Sequence, residues 1–94
     1  MSNENPIQIK ITDEKLALVY SNHIRIGHAP EEFVLEISSV FPPSGTVISR
    51  VAISPAHAKR LLKVLAENVQ GYEEKFGVIK EMPIPFNLGD VNQK

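Results

Sequence analysis

The first half of the chain contains several segments in which apolar and polar residues alternate. Successive side chains of a β-strand point to opposite faces, so a period of two is typical of a strand buried on one face. Residues 6–11, 23–28 and 32–37 alternate in this way, and residues 46–53, which are rich in β-branched side chains, indicate a further strand. The apolar faces carry Ile7, Ile9 and Ile11, then Ile24 and Ile26, and then Phe33, Leu35 and Ile37. The pattern therefore predicts about four strands.

The connections between these segments are short and favour antiparallel neighbours. Residues 12–15 are polar and indicate a turn, and Pro30 marks another. Residues 41–45 indicate a loop, because their two prolines cannot donate the hydrogen bonds of a central strand. We therefore expect the strands to form a meander.

Residues 16–20 are mostly apolar and are compatible with a strand or with one turn of helix. Ser21 and Asn22 interrupt this run, and a bulge or bend at these two residues would join it to residues 23–28 as one long strand. The same segment is a candidate for setting a bend or an interface, which makes His23 a candidate interaction residue.

Residues 55–76 have the strongest helical pattern in the chain. Ser54 is a favourable N-cap, Pro55 suits the first helical position, and Gly77 suits a left-handed C-terminal cap. A helix of this length is about 33 Å long. Its apolar residues fall in one stripe, hereafter the α2 stripe: Ala58, Leu61, Leu62, Leu65, Val69, Tyr72 and Phe76.

These elements predict an α+β fold: an antiparallel meander of about four strands, followed by one long amphipathic C-terminal helix packed on one face. We expect a disordered lead at residues 1–5 and a single domain at residues 6–80. Residues 81–94 form a tail whose first half is apolar but interrupted by prolines, so it is predicted to be extended or disordered rather than helical.

One helix covers only one face of such a sheet, and the other face is predicted to carry apolar as well as polar residues. Large exposed apolar patches usually mark interfaces, so we expect a homo-oligomer, either a dimer or a tetramer. Phe41, Ile84 and Phe86 are the candidate apolar contacts, for self-association or for another polypeptide. The other interpretation is that the tail around Ile84 and Phe86 covers this surface.

The 94 residues fit one domain, the net charge is -1, and cysteine is absent. Disulfides and thiol chemistry are therefore excluded, and the balanced charge gives no general attraction to nucleic acid. The N-terminal residues lack a signal-peptide pattern and no apolar run is long enough to span a bilayer. We expect a cytoplasmic protein without a membrane partner.

The histidines do not form a recognisable catalytic or metal-binding motif. His23 and His28 are five residues apart, so on one strand they would face opposite sides and could not share a metal ion. His57 would lie in the first turn of the helix without an assigned nucleophile beside it. The sequence also lacks glycine-rich phosphate loops and nucleophile-elbow motifs. We expect no enzymatic activity, no cofactor and no metal, with a histidine-based hydrolase or metal enzyme as the weakest hypothesis.

Basic residues are concentrated in the first half of the helix, where Lys59, Arg60 and Lys63 oppose the usual preference for acidic residues near a helix N-terminus. An anionic partner would favour these charges. The alternative function is therefore a nucleic-acid-associated protein that uses these residues with Arg25 and Arg50, although the chain has few aromatic residues for base stacking. A solvated helix face remains the simpler interpretation.

Four groups of short motifs stand out along the chain: Tyr20-Ser21-Asn22-His23, Glu31-Glu32-Phe33-Val34-Leu35, Ser54-Pro55 with His57-Ala58-Lys59-Arg60-Leu61-Leu62, and Tyr72-Glu73 with Phe76-Gly77. Together they resemble a family of small prokaryotic proteins, the domain-of-unknown-function family numbered 3467. The resemblance covers residues 18–79 and implies no activity. The order of elements is also loosely similar to SecB-type export chaperones, which are oligomers that bind unfolded chains. We therefore expect a non-enzymatic protein-interaction or chaperone-like module.

Overall fold

The computed structural model describes residues 5–89 of the chain, which form an α+β fold. In chain order the elements are α1 (Asp13–Leu16), β1 (His23–Ala29), β2 (Glu32–Phe41), β3 (Ser44–Ile53) and α2 (Pro55–Phe76). The strands form one antiparallel sheet in the order β1-β2-β3, which confirms the meander followed by a long helix. The described sheet has three strands, however, so the prediction of about four was wrong.

The missing strand is the one predicted at residues 6–11. In the described chain these residues belong to no strand or helix and make no backbone hydrogen bond to another segment. The polar turn predicted after them is the single helical turn α1, which ends at Leu16. Alternation shows which face of a strand is apolar, but it does not identify the neighbouring strand. The pattern at residues 6–11 is therefore left without a partner inside the described sheet.

The register of the strands separates the sheet into two faces of different chemistry. Leu35 in β2 lies opposite Ile26 in β1 and Val51 in β3, so these three residues share one face. We call it the helix-side face, and it carries Ile24, Ile26, His28, Phe33, Leu35, Ile37, Val51 and Ile53. The far face carries His23, Arg25, Glu36 and Arg50, and the Arg50 Nε lies 3.3 Å from the Glu36 Oε2.

The β2–β3 hairpin has a shorter loop than the sequence predicts. Phe41 already pairs with Ser44, so only Pro42 and Pro43 lie outside the ladder, and the peptide bond between them is cis. Further along, Ile48 has no partner residue on β2, which marks a β-bulge in β3. Both strands are ten residues long, or about 33 Å, which places the proline turn far from the start of α2.

A side-chain clamp ends the pairing of β1 with β2. The Asn22 Nδ2 donates to the carbonyl of Val40, and the Val40 N–H donates to the Asn22 Oδ1, both at 2.8 Å. The Ser21 hydroxyl donates to the Ser38 carbonyl at 2.7 Å. The Asn22 amide therefore takes the place of a backbone partner for Val40. Of the alternatives for residues 16–20, the long strand joined through a bulge is not formed, because α1 ends at Leu16 and β1 begins only at His23.

Helix α2 begins and ends at the predicted residues. The Ser54 hydroxyl accepts a hydrogen bond from the His57 backbone N–H at 3.1 Å, and Pro55 follows as the first helical residue. Gly77 ends the helix with a positive φ of 100°, which a side chain would disfavour. Its ψ of 167° lies outside the left-handed helical region, so the predicted left-handed cap was wrong in detail. Within residues 5–89, no helix combines the length and apolarity that a membrane span requires.

The Ser54 cap gives a direct test of the start of α2. We expect Ser54→Ala to lower the free energy of unfolding by about 1 kcal/mol, because the His57 N–H loses its acceptor. Ser54→Asp keeps an acceptor oxygen and should retain the stability of the unmodified protein. Urea titrations at one fixed protein concentration measure both changes. Equal stability of the alanine and aspartate variants would contradict this role for the cap.

The described chain buries very little of its apolar surface. Ser38 and Val40 are its two buried residues, each 9% exposed, and both lie in β2 near the Asn22 clamp. Leu62, in the α2 stripe, is 68% exposed, and Ile26, on the apolar face of β1, is 60% exposed. The amphipathic helix predicted at residues 55–76 is therefore confirmed, but no part of the described chain covers most of the α2 stripe.

Candidate interaction surface

An open apolar groove lies between the helix-side face and the first half of α2. Its volume is about 450 Å³. The sheet contributes Ile26, Phe33, Leu35 and Ile53, and the helix region contributes Pro55, Ala58, Lys59, Leu61, Leu62 and Leu65. Lys59 is the one charged residue in this lining. A groove of this composition favours apolar side chains and offers few polar groups that would orient a small polar substrate.

The groove forms because α2 starts directly at one end of the sheet. Ile53, the last residue of β3, pairs with Phe33 at the beginning of β2, and Ser54 then caps the helix. In the floor of the groove, Phe33, Leu35 and Ile53 are half-buried, whereas Ile26 is exposed. The helical wall is open, with Leu62 and Leu65 68% and 58% exposed. Apolar side chains of a partner that insert into this groove would bury the lining residues that the chain itself leaves exposed.

The apolar surface continues along the second half of α2. Val69, Tyr72 and Phe76 extend the α2 stripe beyond the groove, and all three are exposed. The rings of Tyr72 and Phe76 pack against each other with centroids 5.0 Å apart. The helix ends where the Glu73 carboxylate accepts a hydrogen bond from the Ile79 N–H at 2.8 Å. From Ala58 to Phe76 the stripe spans about 27 Å, a length suited to another helix or a sheet.

The predicted apolar contacts lie in two separate places. Phe41 is 64% exposed at the proline turn, with its ring centroid 6.2 Å from that of Tyr20. Ile84 and Phe86 lie in the tail; Ile84 is 54% exposed, and Phe86 is half-buried. The Gly89 carbonyl accepts a hydrogen bond from the Arg25 guanidinium at 3.0 Å, which attaches this part of the tail to β1. Predicted disorder at residues 1–4 and 90–94 lies outside the described residues.

The basic residues of the alternative function do not form one patch. Arg25 and Arg50 lie on the far face, where Arg50 pairs with Glu36. Lys59, Arg60 and Lys63 lie on α2, which packs along the helix-side face. A single nucleic-acid strand would have to contact both sides of the sheet to use all of them. The geometry therefore gives the nucleic-acid hypothesis no particular support.

The histidines are separated as the strand period predicts. His23 pairs with Ser38 and lies on the far face, whereas His28 pairs with Phe33 and lies on the helix-side face. The His28 and Phe33 ring centroids are 5.6 Å apart. Residues 5–89 contain no group of three or more acidic or histidine residues placed to bind a metal ion.

Sequence reasoning missed two features of this surface. The α2 stripe was expected to pack on the sheet, whereas part of it forms the open wall of the groove. The helical period of the stripe was the sequence signal that could have identified this wall. The pairing role of Asn22 was not predicted, because a hydrogen bond across 18 positions leaves no periodic signal in the sequence.

The comparison with protein families gives one result. The sequence model of the family described as "Protein of unknown function (DUF3467)" matches residues 1–81. The chain belongs to this family. The match begins at the first residue, so it includes the N-terminal segment that the motif resemblance had left outside. No curated protein and no solved structure matches the chain.

Proposed function

We propose that this family member is a non-enzymatic, self-associating protein-interaction module. Its α2 stripe associates with a second copy, and its apolar groove binds extended polypeptide in a chaperone-like manner. The observation that carries this proposal is the near absence of buried apolar side chains in residues 5–89, combined with an apolar groove and a continuous apolar helix stripe. Surface of this kind is much more typical of interfaces than of catalytic sites.

The total exposed surface supports self-association quantitatively. The chain exposes 9208 Å², whereas a compact monomer of its mass exposes about 5,400 Å². The radius of gyration is 16.8 Å, compared with about 12 Å for a compact domain of this length. The excess surface, roughly 3,800 Å², is larger than the ~800 Å² that each partner contributes to a standard interface. An obligate oligomer would account for a difference of this size.

The groove supports a polypeptide partner after self-association. Its lining is apolar and open, and Lys59 stands at its helical wall. A polypeptide in an extended conformation presents alternate apolar side chains, which fit a shallow groove beside a sheet. The helical wall of the groove is part of the α2 stripe, so the proposal assigns the stripe to self-association and the sheet side of the groove to side chains of a bound chain. The sheet side consists of Ile26, Phe33, Leu35 and Ile53.

Native mass measured by light scattering over a wide concentration range tests the first part. We expect two or four times the chain mass of 10.5 kDa, and a thermal midpoint that rises with protein concentration. A monomer with a concentration-independent midpoint would overturn self-association.

A labelled, permanently unfolded test protein provides the measurement for the second part. We expect saturable binding that changes little between low and high salt, because the groove is apolar rather than charged. Lys59→Leu keeps the groove apolar and should preserve binding, whereas Ile53→Lys, on the sheet side of the groove and outside the α2 stripe, should weaken it. Absence of binding by a well-folded oligomer would overturn the polypeptide-binding part alone.

A further inference from the structure

We propose that residues 6–11 of one copy add as a fourth strand to the open edge of β1 in a second copy, and that two copies exchange these segments reciprocally. The inference rests on the self-association proposed above and names the segment that joins the copies. A reciprocal exchange is closed by two-fold symmetry, so the assembly ends at two copies.

Residues 6–11 have the sequence pattern of a β-strand, but they pair with no neighbouring strand in the described chain. Ile7, Ile9 and Ile11 alternate with Gln8 and Lys10. The three isoleucines are 78%, 92% and 62% exposed, and the segment makes no backbone hydrogen bond to the rest of the described chain. Three regularly spaced isoleucines left in water favour any sheet edge on which their common face becomes buried.

The Asn22 clamp marks the point at which the chain leaves its own sheet. Its amide occupies the Val40 backbone groups, where a longer β1 would have paired, and the chain before it runs as irregular structure and the short helix α1. Residues 6–11 make no backbone hydrogen bond to β1 of their own chain, so their backbone groups are available to another copy.

Of the two open edges of the described sheet, β1 fits the segment better. All seven residues of β1 pair with β2 in an uninterrupted register, so its outer edge is regular. The edge formed by β3 is interrupted by the bulge at Ile48, and bulges are a common way of blocking edge pairing. On the helix-side face, Ile24 and Ile26 of β1 are 50% and 60% exposed, which leaves an apolar row ready to be extended.

The charges select a register for this strand addition. In an antiparallel pairing with Ile7 opposite Ile26, Ile9 lies opposite Ile24 and Gln8 lies opposite Arg25. A shift by two residues would place Lys10 opposite Arg25, and like charges directly opposite one another are unfavourable. The first register also places the isoleucine face beside the helix-side face, where it adjoins the apolar groove.

Disulfide trapping in the full-length, cysteine-free chain tests the proposal. An isotopically labelled chain with Ile7→Cys is mixed with an unlabelled chain carrying Ile26→Cys, oxidised, and analysed by mass spectrometry. We expect a disulfide between the two kinds of chain as the main product. Gln8→Cys with Ile26→Cys is the matched control and should give at least tenfold less product, because these side chains face opposite sides of the sheet.

Three outcomes would overturn the exchange. The first is a main product that joins Ile7→Cys to Val51→Cys in β3. The second is a disulfide between two Ile26→Cys chains, which indicates β1-to-β1 pairing. The third is an intrachain disulfide in the double variant, which carries both Ile7→Cys and Ile26→Cys. The intrachain case is recognised by diluting the double variant into a tenfold excess of unmodified chain, which would leave it unchanged but would deplete a disulfide between copies. An oligomeric native mass without the expected disulfide would refute the exchange and leave self-association intact, whereas a monomeric mass would refute both.

Discussion

Leu62→Asp should convert the proposed oligomer into separate chains. Leu62 lies on the α2 stripe and lines the groove, and in the isolated chain its side chain is 68% exposed. If a second copy covers it, the variant loses about 1.5–3 kcal/mol of apolar burial. It also places an unpaired carboxylate in the interface, which costs several kcal/mol more. A total above about 3 kcal/mol raises the dissociation constant at least ~100-fold.

The neighbouring residue provides a matched control. Lys63→Asp introduces the same side chain one position along the same helix, with the same helix propensity and a larger change in charge. Lys63 lies outside the α2 stripe, so we expect this variant to keep the native mass. Light scattering and thermal melts at several concentrations compare the two variants. An unchanged mass and thermal midpoint for Leu62→Asp would mean that Leu62 is truly a surface residue, because exposed substitutions usually change stability by less than about 0.5 kcal/mol.

The elements that sequence predicted well are those specified by local interactions. The ends of α2 follow from Ser54, Pro55 and Gly77, each of which acts on backbone groups within a few residues of itself. The core strands follow from alternation, and their antiparallel order follows from short connections. The opposite faces of His23 and His28 follow from the strand period alone.

The features that sequence reasoning missed depend on distant parts of the chain. Residues 6–11 have the pattern of a strand, but whether they form one depends on which edge is available to them. The α2 stripe has the pattern of a buried face, but periodicity does not distinguish burial by the same chain from burial by another copy. The candidate site shares this limit: Phe41 and Ile84, the candidate apolar contacts, are 64% and 54% exposed, whereas the groove wall was expected to pack on the sheet.

Asn22→Ala should cause the largest loss of stability of any single polar substitution in the described chain. The Asn22 side chain makes two hydrogen bonds of 2.8 Å to the backbone of Val40, which is 9% exposed. Asn22 is itself exposed and the two bonds are partly buried, so water reaches part of the vacated position, and each lost hydrogen bond costs about 0.5–1.5 kcal/mol. We therefore expect a loss of about 1–3 kcal/mol. At a fixed protein concentration this corresponds to a drop of roughly 5–20 °C in the thermal midpoint.

Asn68→Ala separates this effect from the general loss of an asparagine. The Asn68 Nδ2 donates to the Val64 carbonyl at 2.9 Å on the exposed surface of α2, where water replaces the lost bond and alanine is the better helix former. We expect this control to be neutral or slightly stabilising. If both variants melt within a few degrees of the unmodified protein, the Asn22 clamp does not hold the sheet edge. If Asn22→Ala alone melts early, the clamp stabilises the end of the β1–β2 ladder at which the chain leaves the sheet.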